Sequence, residues 1–185
     1  MSEYLALLRG INVSRNQRIA MADLRALLAG LGYTGISTYL QSGNALFSSD
    51  STDADALAAQ IERAITAELG LTVRVLVRDR ADLRRIVAAN PLADIATDPA
   101  KLLVTFLSAR PDAEALLAVD PASYAPERLA VGEREVYVWY PEGVRKAKLN
   151  PPFFEKRLGK GSAGTARNWN TVTKLLALMD SPGSA

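Results

Sequence analysis

Three stretches of the chain set hydrogen-bond donors beside glycine, and each suits the holding of an anion. The first is Leu7-Leu8-Arg9-Gly10-Ile11-Asn12, with Arg15 and Arg18 following in a polar loop. Arg9 offers a planar fork of donors that matches phosphate or carboxylate. Loops that follow strand ends are common ligand positions. The second is Tyr39-Leu40-Gln41-Ser42-Gly43-Asn44, in which Gly43 and Asn44 permit the positive φ of a tight hairpin. The third runs from Gly159 to Thr171 and includes Thr165, Arg167, Asn168 and Trp169. Read as a glycine loop opening a helix, it presents free amides and a positive dipole end to an anion. On that reading Arg167, Thr171 and Lys174 fall at i, i+4 and i+7, on one helical face.

Other chemistry is excluded or weakened by what the chain lacks. It contains no histidine and no cysteine, so imidazole and thiolate catalysis, disulfides and thiolate metal sites are absent. Ser42 has no histidine to activate it and no G-x-S-x-G elbow around it. The literal G-x-G-x-x-G at Gly159 to Gly164 follows a helix, whereas the dinucleotide fingerprint needs a preceding strand. Without imidazole, thiolate or a dense acidic motif, no metal and no cofactor is expected.

Charge is distributed unevenly. From Pro141 to Ala185 there are eight Lys/Arg against three Asp/Glu, while the rest of the chain carries a small acidic excess. Arg145, Lys146, Lys148, Lys156, Arg157 and Lys160 stand near Tyr137, Trp139, Tyr140, Phe153 and Phe154. Basic residues interleaved with aromatics can bind single-stranded nucleic acid. These aromatics alternate or cluster as core residues do, however, and core is the favoured role.

The elements that must position these groups follow from hydrophobic period. Glu3 to Arg9 is a strand, and Leu24, Leu27, Leu28 and Leu31 mark an amphipathic helix. Strands at Ile36 to Leu40 and Asn44 to Ser48 join across Ser42-Gly43. Asp53 is among the cap candidates for a helix that Gly70 ends, and an alternating strand follows from Leu71 to Val77. Asp79 caps a linking helix that closes before Asn90-Pro91. A second round comprises a strand at Leu102 to Leu107, a helix at Pro111 to Val119, and a hairpin around Gly132-Glu133. A helix capped by Asn150 with Pro151 in its first position then precedes a last helix from about Thr165 to Met179.

The fold expected is α+β: two tandem ferredoxin-like α/β plaits, β-α-β-β-α-β followed by β-α-β-β-α-α. The expected division is residues 1–78 for the first plait and 79–185 for the linking helix and the second plait with its basic C-terminal helices. Apolar residues at 49 % and charged residues at 23 % are ordinary for a globular domain. No apolar run reaches the ~20 residues of a membrane span, and the N-terminus lacks signal-peptide features. A cytoplasmic location without membrane contact is therefore expected.

The three stretches, ALLRGINV at Ala6 to Val13, TYLQSGNALF at Thr38 to Phe47 and TARNWNTVTKL at Thr165 to Leu175, resemble the motifs of an uncharacterised bacterial family, domain of unknown function 1697. The likeness spans essentially the whole chain in the same order. It implies a pair of α/β-plait subdomains and, the family having no established activity, no reaction. Its motif positions direct attention to Arg9, Gly10, Asn12, Gln41, Ser42, Gly43, Asn44, Thr165, Arg167, Asn168, Trp169, Thr171 and Lys174. The chain departs from the family's pattern at Ser14-Arg15, where members often carry Gly-Gly, and at Ala147 before Lys148, where they often carry Ser.

Three functions fit these residues. Arg9, Asn12, Gln41, Ser42, Asn44, Lys148, Thr165, Arg167, Asn168, Thr171 and Lys174 can bind an anionic ligand, either a phosphorylated small molecule or nucleic acid. The alternatives are a metal-independent enzyme that works by charge stabilisation, and an assembly module in which the motifs are structural. Holding residues dominate the set, so binding ranks above catalysis.

Overall fold

The structure, a computed structural model, describes residues 1–159 and 164–181. The chain divides into two compact units, one of residues 1–84 with the end of the chain from Leu175, the other of Arg85–Lys174. Each is built on a four-stranded antiparallel sheet. Among the described residues no helix is long and apolar enough to cross a membrane.

In the first unit the elements run β1 (Ser2–Leu8), α1 (Met21–Gly30), β2 (Thr34–Tyr39), β3 (Asn44–Ser49), α2 (Ala54–Leu69) and β4 (Val75–Asp79). The sheet order is β2-β3-β1-β4, the ferredoxin-like arrangement. Alternation along β1 sends Tyr4, Ala6 and Leu8 to one face, where Phe47, Val75 and Val77 join them. The i, i+3, i+4 stripe of α1 (Leu24, Leu27, Leu28) and that of α2 (Leu57, Ile61, Ile65) complete this core. Tyr33 stacks on Phe47 at 4.5 Å between centroids. Leu5 and Leu7, on the opposite face of β1, are also fully buried. Asp53 caps α2 by accepting from the amides of Asp55 and Ala56, and Gly70 closes the helix.

Then follow α3 (Arg80–Ala88), β5 (Leu102–Leu107), α4 (Ala113–Leu117), a 3-10 turn at Pro121–Ser123, β6 (Arg128–Val131), β7 (Glu135–Trp139), α5 (Pro151–Leu158), β8 (Gly164–Asn168) and α6 (Trp169–Asp180). Asp79 caps α3 through the amide of Asp82 at 2.7 Å. The second sheet has the order β6-β7-β5-β8, which repeats the first sheet's order. Val136, Val138 and Leu107 face a core with Leu116, Tyr140 and Leu149, against which Phe153 and Phe154 pack. The aromatics of the basic stretch are thus buried or half-buried core residues.

One expected element is shifted, the strand read at Leu71 to Val77 being β4 at Val75–Asp79, and one changes type. Thr165 to Asn168, read from sequence as the start of the last helix, is strand β8, so the second half also completes β-α-β-β-α-β before its final helix. The open edge of β5 pairs with it residue by residue, from Leu103 opposite Asn168 to Leu107 opposite Gly164. Pairing of this kind is non-local, and a helical period in the next eleven residues conceals it. Gly164 lets the strands close up, since a Cβ there would stand 2.9 Å from Thr105 Cγ2. The segment Lys160 to Ala163, part of the expected glycine loop, lies outside the described residues.

Both units fasten the start of their third strand's turn to the end of their first strand. The Leu8 amide donates to Gly43 O, and the Leu107 amide donates to Arg134 O, each at 2.9 Å. In the second unit Glu135, fully buried, accepts from Arg85 Nη1 at 2.8 Å and Nη2 at 3.1 Å and from the amides of Glu133 and Arg134. Burial alone would raise its pKa; the Arg85 and amide donors outweigh burial and hold the carboxyl below its ordinary value. In the first unit the corresponding seam adds a steric constraint to its amide–carbonyl bond. Gly43 has φ +88, and a Cβ would lie 2.8 Å from both Leu8 Cβ and Ile11 Cδ1. Leu8 Cβ cannot move without its backbone. We predict that Gly43→Ala destabilises the protein by about 2–4 kcal/mol, combining left-handed strain with overpacking. Urea unfolding will read this as a lower midpoint, whereas Gly30→Ala in α1, where a Cβ meets nothing within 4 Å, should be neutral or stabilising.

Candidate functional site

The first two motifs meet at one end of the first sheet. β1 ends at Leu8, and its next amide, that of Arg9, donates to Arg74 O at 2.9 Å just before β4. The chain then turns through Gly10 (φ +68) and Asn12 (φ +58). Asparagine is one of the few side-chain-bearing residues that tolerates this region. Asn12 turns that tolerance into a clamp. Its Oδ1 accepts from the Ile19 amide at 3.0 Å, and its Nδ2 donates to Ile19 O at 3.0 Å and to Gln41 O at 2.7 Å. Its backbone amide donates to Gln17 O at 2.7 Å. Gln17 Nε2 reaches Thr72 O at 3.3 Å. The loop is therefore tied at both ends to itself, to the β2–β3 turn and to the approach to β4.

The turn itself spans residues 40–43. Leu40 and Gly43 carry its positive φ values, +62 and +88. Asn44 begins β3, as the expected strand from Asn44 to Ser48 does, but it is not among the positive-φ residues, and it is fully buried. Its Nδ2 donates to Tyr39 O at 2.7 Å and to Ser42 Oγ at 3.2 Å, bridging the turn from inside. Asn44 thus acts on the Ser42 hydroxyl as a donor. Gln41 and Ser42 are exposed.

Arg9, Arg15 and Arg18 are exposed around this scaffold. Arg15 and Arg18 make no hydrogen bond or ion pair with any described residue. Residues 9–18 and 40–43 contain no Asp, Glu, Lys or Tyr. The loop and the turn therefore carry the positive charge of Arg15 and Arg18 with no carboxylate of their own and no side chain of their own suited to proton transfer.

The third motif is arranged differently from its sequence reading. Arg167 lies in β8 and not in a helix, so Arg167, Thr171 and Lys174 do not form one helical face. Thr165 and Arg167 point to the same side of the strand and are buried, and Arg167 Nη1 donates to Thr165 Oγ1 at 2.8 Å and to Ala166 O at 2.9 Å. Burial lowers the Arg167 pKa to about 10, which still leaves it charged at neutral pH. Asn168 is the capping residue of α6, its Oδ1 accepting from the Thr171 amide at 2.9 Å. Thr171 is buried and Lys174 exposed.

Lys148 sits elsewhere in the second unit, exposed, with Nζ donating to Ala125 O at 3.1 Å. Its amide and that of Leu149 both donate to Glu127, each at 2.8 Å. Sequence reasoning passed over Glu127 and Gln17, because neither belongs to a local pattern. Each acts on a segment at least twenty residues away. Among the described residues no three carboxylates converge to hold a metal ion.

The model of the family "Protein of unknown function (DUF1697)" matches residues 1–137. Among solved structures, the chain is similar to the conserved bacterial protein SP0830 from Streptococcus pneumoniae, with 22 % identity and a TM-score of 0.70 over 96 % of this chain and 98 % of that one. At that identity the likeness concerns the fold. No curated protein matches the chain.

The clamp yields a direct expectation. Asn12→Ala removes three side-chain hydrogen bonds, each worth about 1 kcal/mol, and adds left-handed strain, so urea unfolding should report a loss of about 2–4 kcal/mol. Asn12→Gly relieves the strain alone and should recover about 1 kcal/mol of that loss.

Proposed function

We propose that this chain, which belongs to the DUF1697 family of proteins of unknown function, binds a phosphate-bearing ligand at the β1 end of its first unit. The observation that carries this reading is the pair Arg15 and Arg18. Both are exposed on a loop clamped by Asn12, and neither that loop nor the adjoining turn offers a carboxylate to neutralise them. Arg9, also exposed, adds a third guanidinium at the loop's start. Gln41 and Ser42 add neutral donors from the turn.

The fixed loop matters energetically. Binding costs less when the donors' backbone is already ordered, since part of the conformational entropy has been lost on folding. Arginine suits the role because its fork pairs with two phosphate oxygens at once. Binding is favoured over catalysis because the loop and turn hold no acid–base group. The motif asparagines Asn12 and Asn44 serve the scaffold: their amides are engaged inside the unit.

Two arms of one titration test the reading and sort the ligand's class. A labelled single-stranded oligonucleotide and a mononucleotide are each titrated at two salt concentrations by fluorescence anisotropy or calorimetry. With nucleic acid as ligand, Arg15→Ala/Arg18→Ala should weaken binding and flatten the log–log salt slope by about 1.4, since each phosphate of a single strand that is no longer neutralised removes roughly 0.7. With a small phosphorylated ligand, only the mononucleotide arm responds, and it weakens in the same variant. Binding that ignores salt, or survives undiminished in the double variant, contradicts the proposal.

A further inference from the structure

We infer a second anion site in the second unit, specific for a compact phosphoryl group, in a cleft lined by Pro126, Glu127, Glu142, Gly143, Arg145 and Lys146. Nothing in it depends on the N-terminal arginines. The cleft measures about 260 Å³, just under the range for drug-sized ligands and ample for a phosphate or a small phosphate ester.

Its walls are fixed before any ligand arrives. One wall is the segment around the Pro126-Glu127 peptide, and the other is the loop from Tyr140 to Asn150. Glu127 joins them, each of its oxygens accepting from an amide of the opposite wall, Lys148 and Leu149, at 2.8 Å. The loop is held again by Tyr140 Oη donating to Leu149 O at 2.7 Å, by Lys101 Nζ to Pro141 O at 2.9 Å, and by the Gly143 amide to Tyr140 O at 2.9 Å.

The charges on this frame favour an anion. Residues 126–128 and 142–148 carry four cations, Arg128, Arg145, Lys146 and Lys148, against two carboxylates, Glu127 and Glu142. Glu127 is buried, and its charge is met by two amides. Arg128 and Lys148 are fastened to carbonyls beside the cleft, at Glu127 O and Ala125 O. Arg145 and Lys146 have no hydrogen bond or ion pair among the described residues and line the cleft directly. Glu142, exposed, also lines the cleft and opposes an anion there. The aromatics of this stretch are packed into the core and offer no exposed ring for a base to stack on. That favours a phosphoryl group alone over a nucleic-acid strand.

The test uses the full chain and two probes, inorganic phosphate and glycerol phosphate, titrated by calorimetry at low salt. Arg145→Ala/Lys146→Ala should weaken binding at least about tenfold, consistent with removal of two charge-assisted hydrogen bonds. Glu142→Gln should tighten it severalfold, because a like charge is removed. A merely structural role for these residues would not tighten binding in Glu142→Gln. In an Arg15→Ala/Arg18→Ala background, which removes the N-terminal site, a binding event should remain and should still respond to Arg145→Ala/Lys146→Ala, which separates the two sites. Tighter binding of the ester identifies a phosphate monoester as ligand, and equal binding identifies the free ion; either supports the site. Absence of binding by both probes, or affinity unchanged in both Arg145→Ala/Lys146→Ala and Glu142→Gln, overturns it.

Discussion

The close approach of the β2–β3 turn to the end of β1 is the constraint on which the N-terminal end depends. Gly43 makes it possible: its missing side chain admits Leu8 and Ile11 to the space where a Cβ would stand. Once the turn is seated, Gln41 O falls within reach of Asn12, and Asn12 closes the loop onto Ile19. The arginines then project from a backbone whose course is already decided. A glycine, an asparagine and three arginines thus divide the work between shape and charge. The residues that look most functional by type, Asn12 and Asn44, are those that build the shape.

The second unit solves the same problem with charge in place of sterics. The turn before β7 is held to the end of β5 by the corresponding amide–carbonyl bond, and the buried Glu135 gathers Arg85 and two turn amides around it. Glu127 repeats the device for the Tyr140–Asn150 loop. A carboxylate inside a protein is costly unless hydrogen-bonded; Glu135 meets that condition with Arg85 and two amides, and Glu127 with one amide on each oxygen. The two units therefore share a sheet order while using different chemistry to tie their loops.

Much of the fold was legible because its signals are local. The leucine stripe of α1, the Asp53 cap and Gly70 closure of α2, and the Asn150–Pro151 start of α5 are all set by residues within a turn or two of one another. Strand β8 was not legible, because its identity depends on β5, some sixty residues earlier, and because the helix that follows extends its apolar period back over it. The site divided along the same line. That Arg9, Arg15 and Arg18 stand in a strand-end loop can be read from neighbouring residues. That Asn44 is buried, that Arg167 is buried on the edge strand of a sheet, and that Glu127 holds a loop twenty residues away are consequences of tertiary pairing alone.

The central claim is that the arginine loop is part of the rigid sheet end and not a free surface loop. Native-state hydrogen exchange of the amides of Asn12 and Ile19 tests this most directly, since both donate within the clamp. The account predicts protection approaching that of the β1 amides, with the loop opening only when the sheet end does. Exchange of these two amides at the rate of an unstructured loop would contradict it.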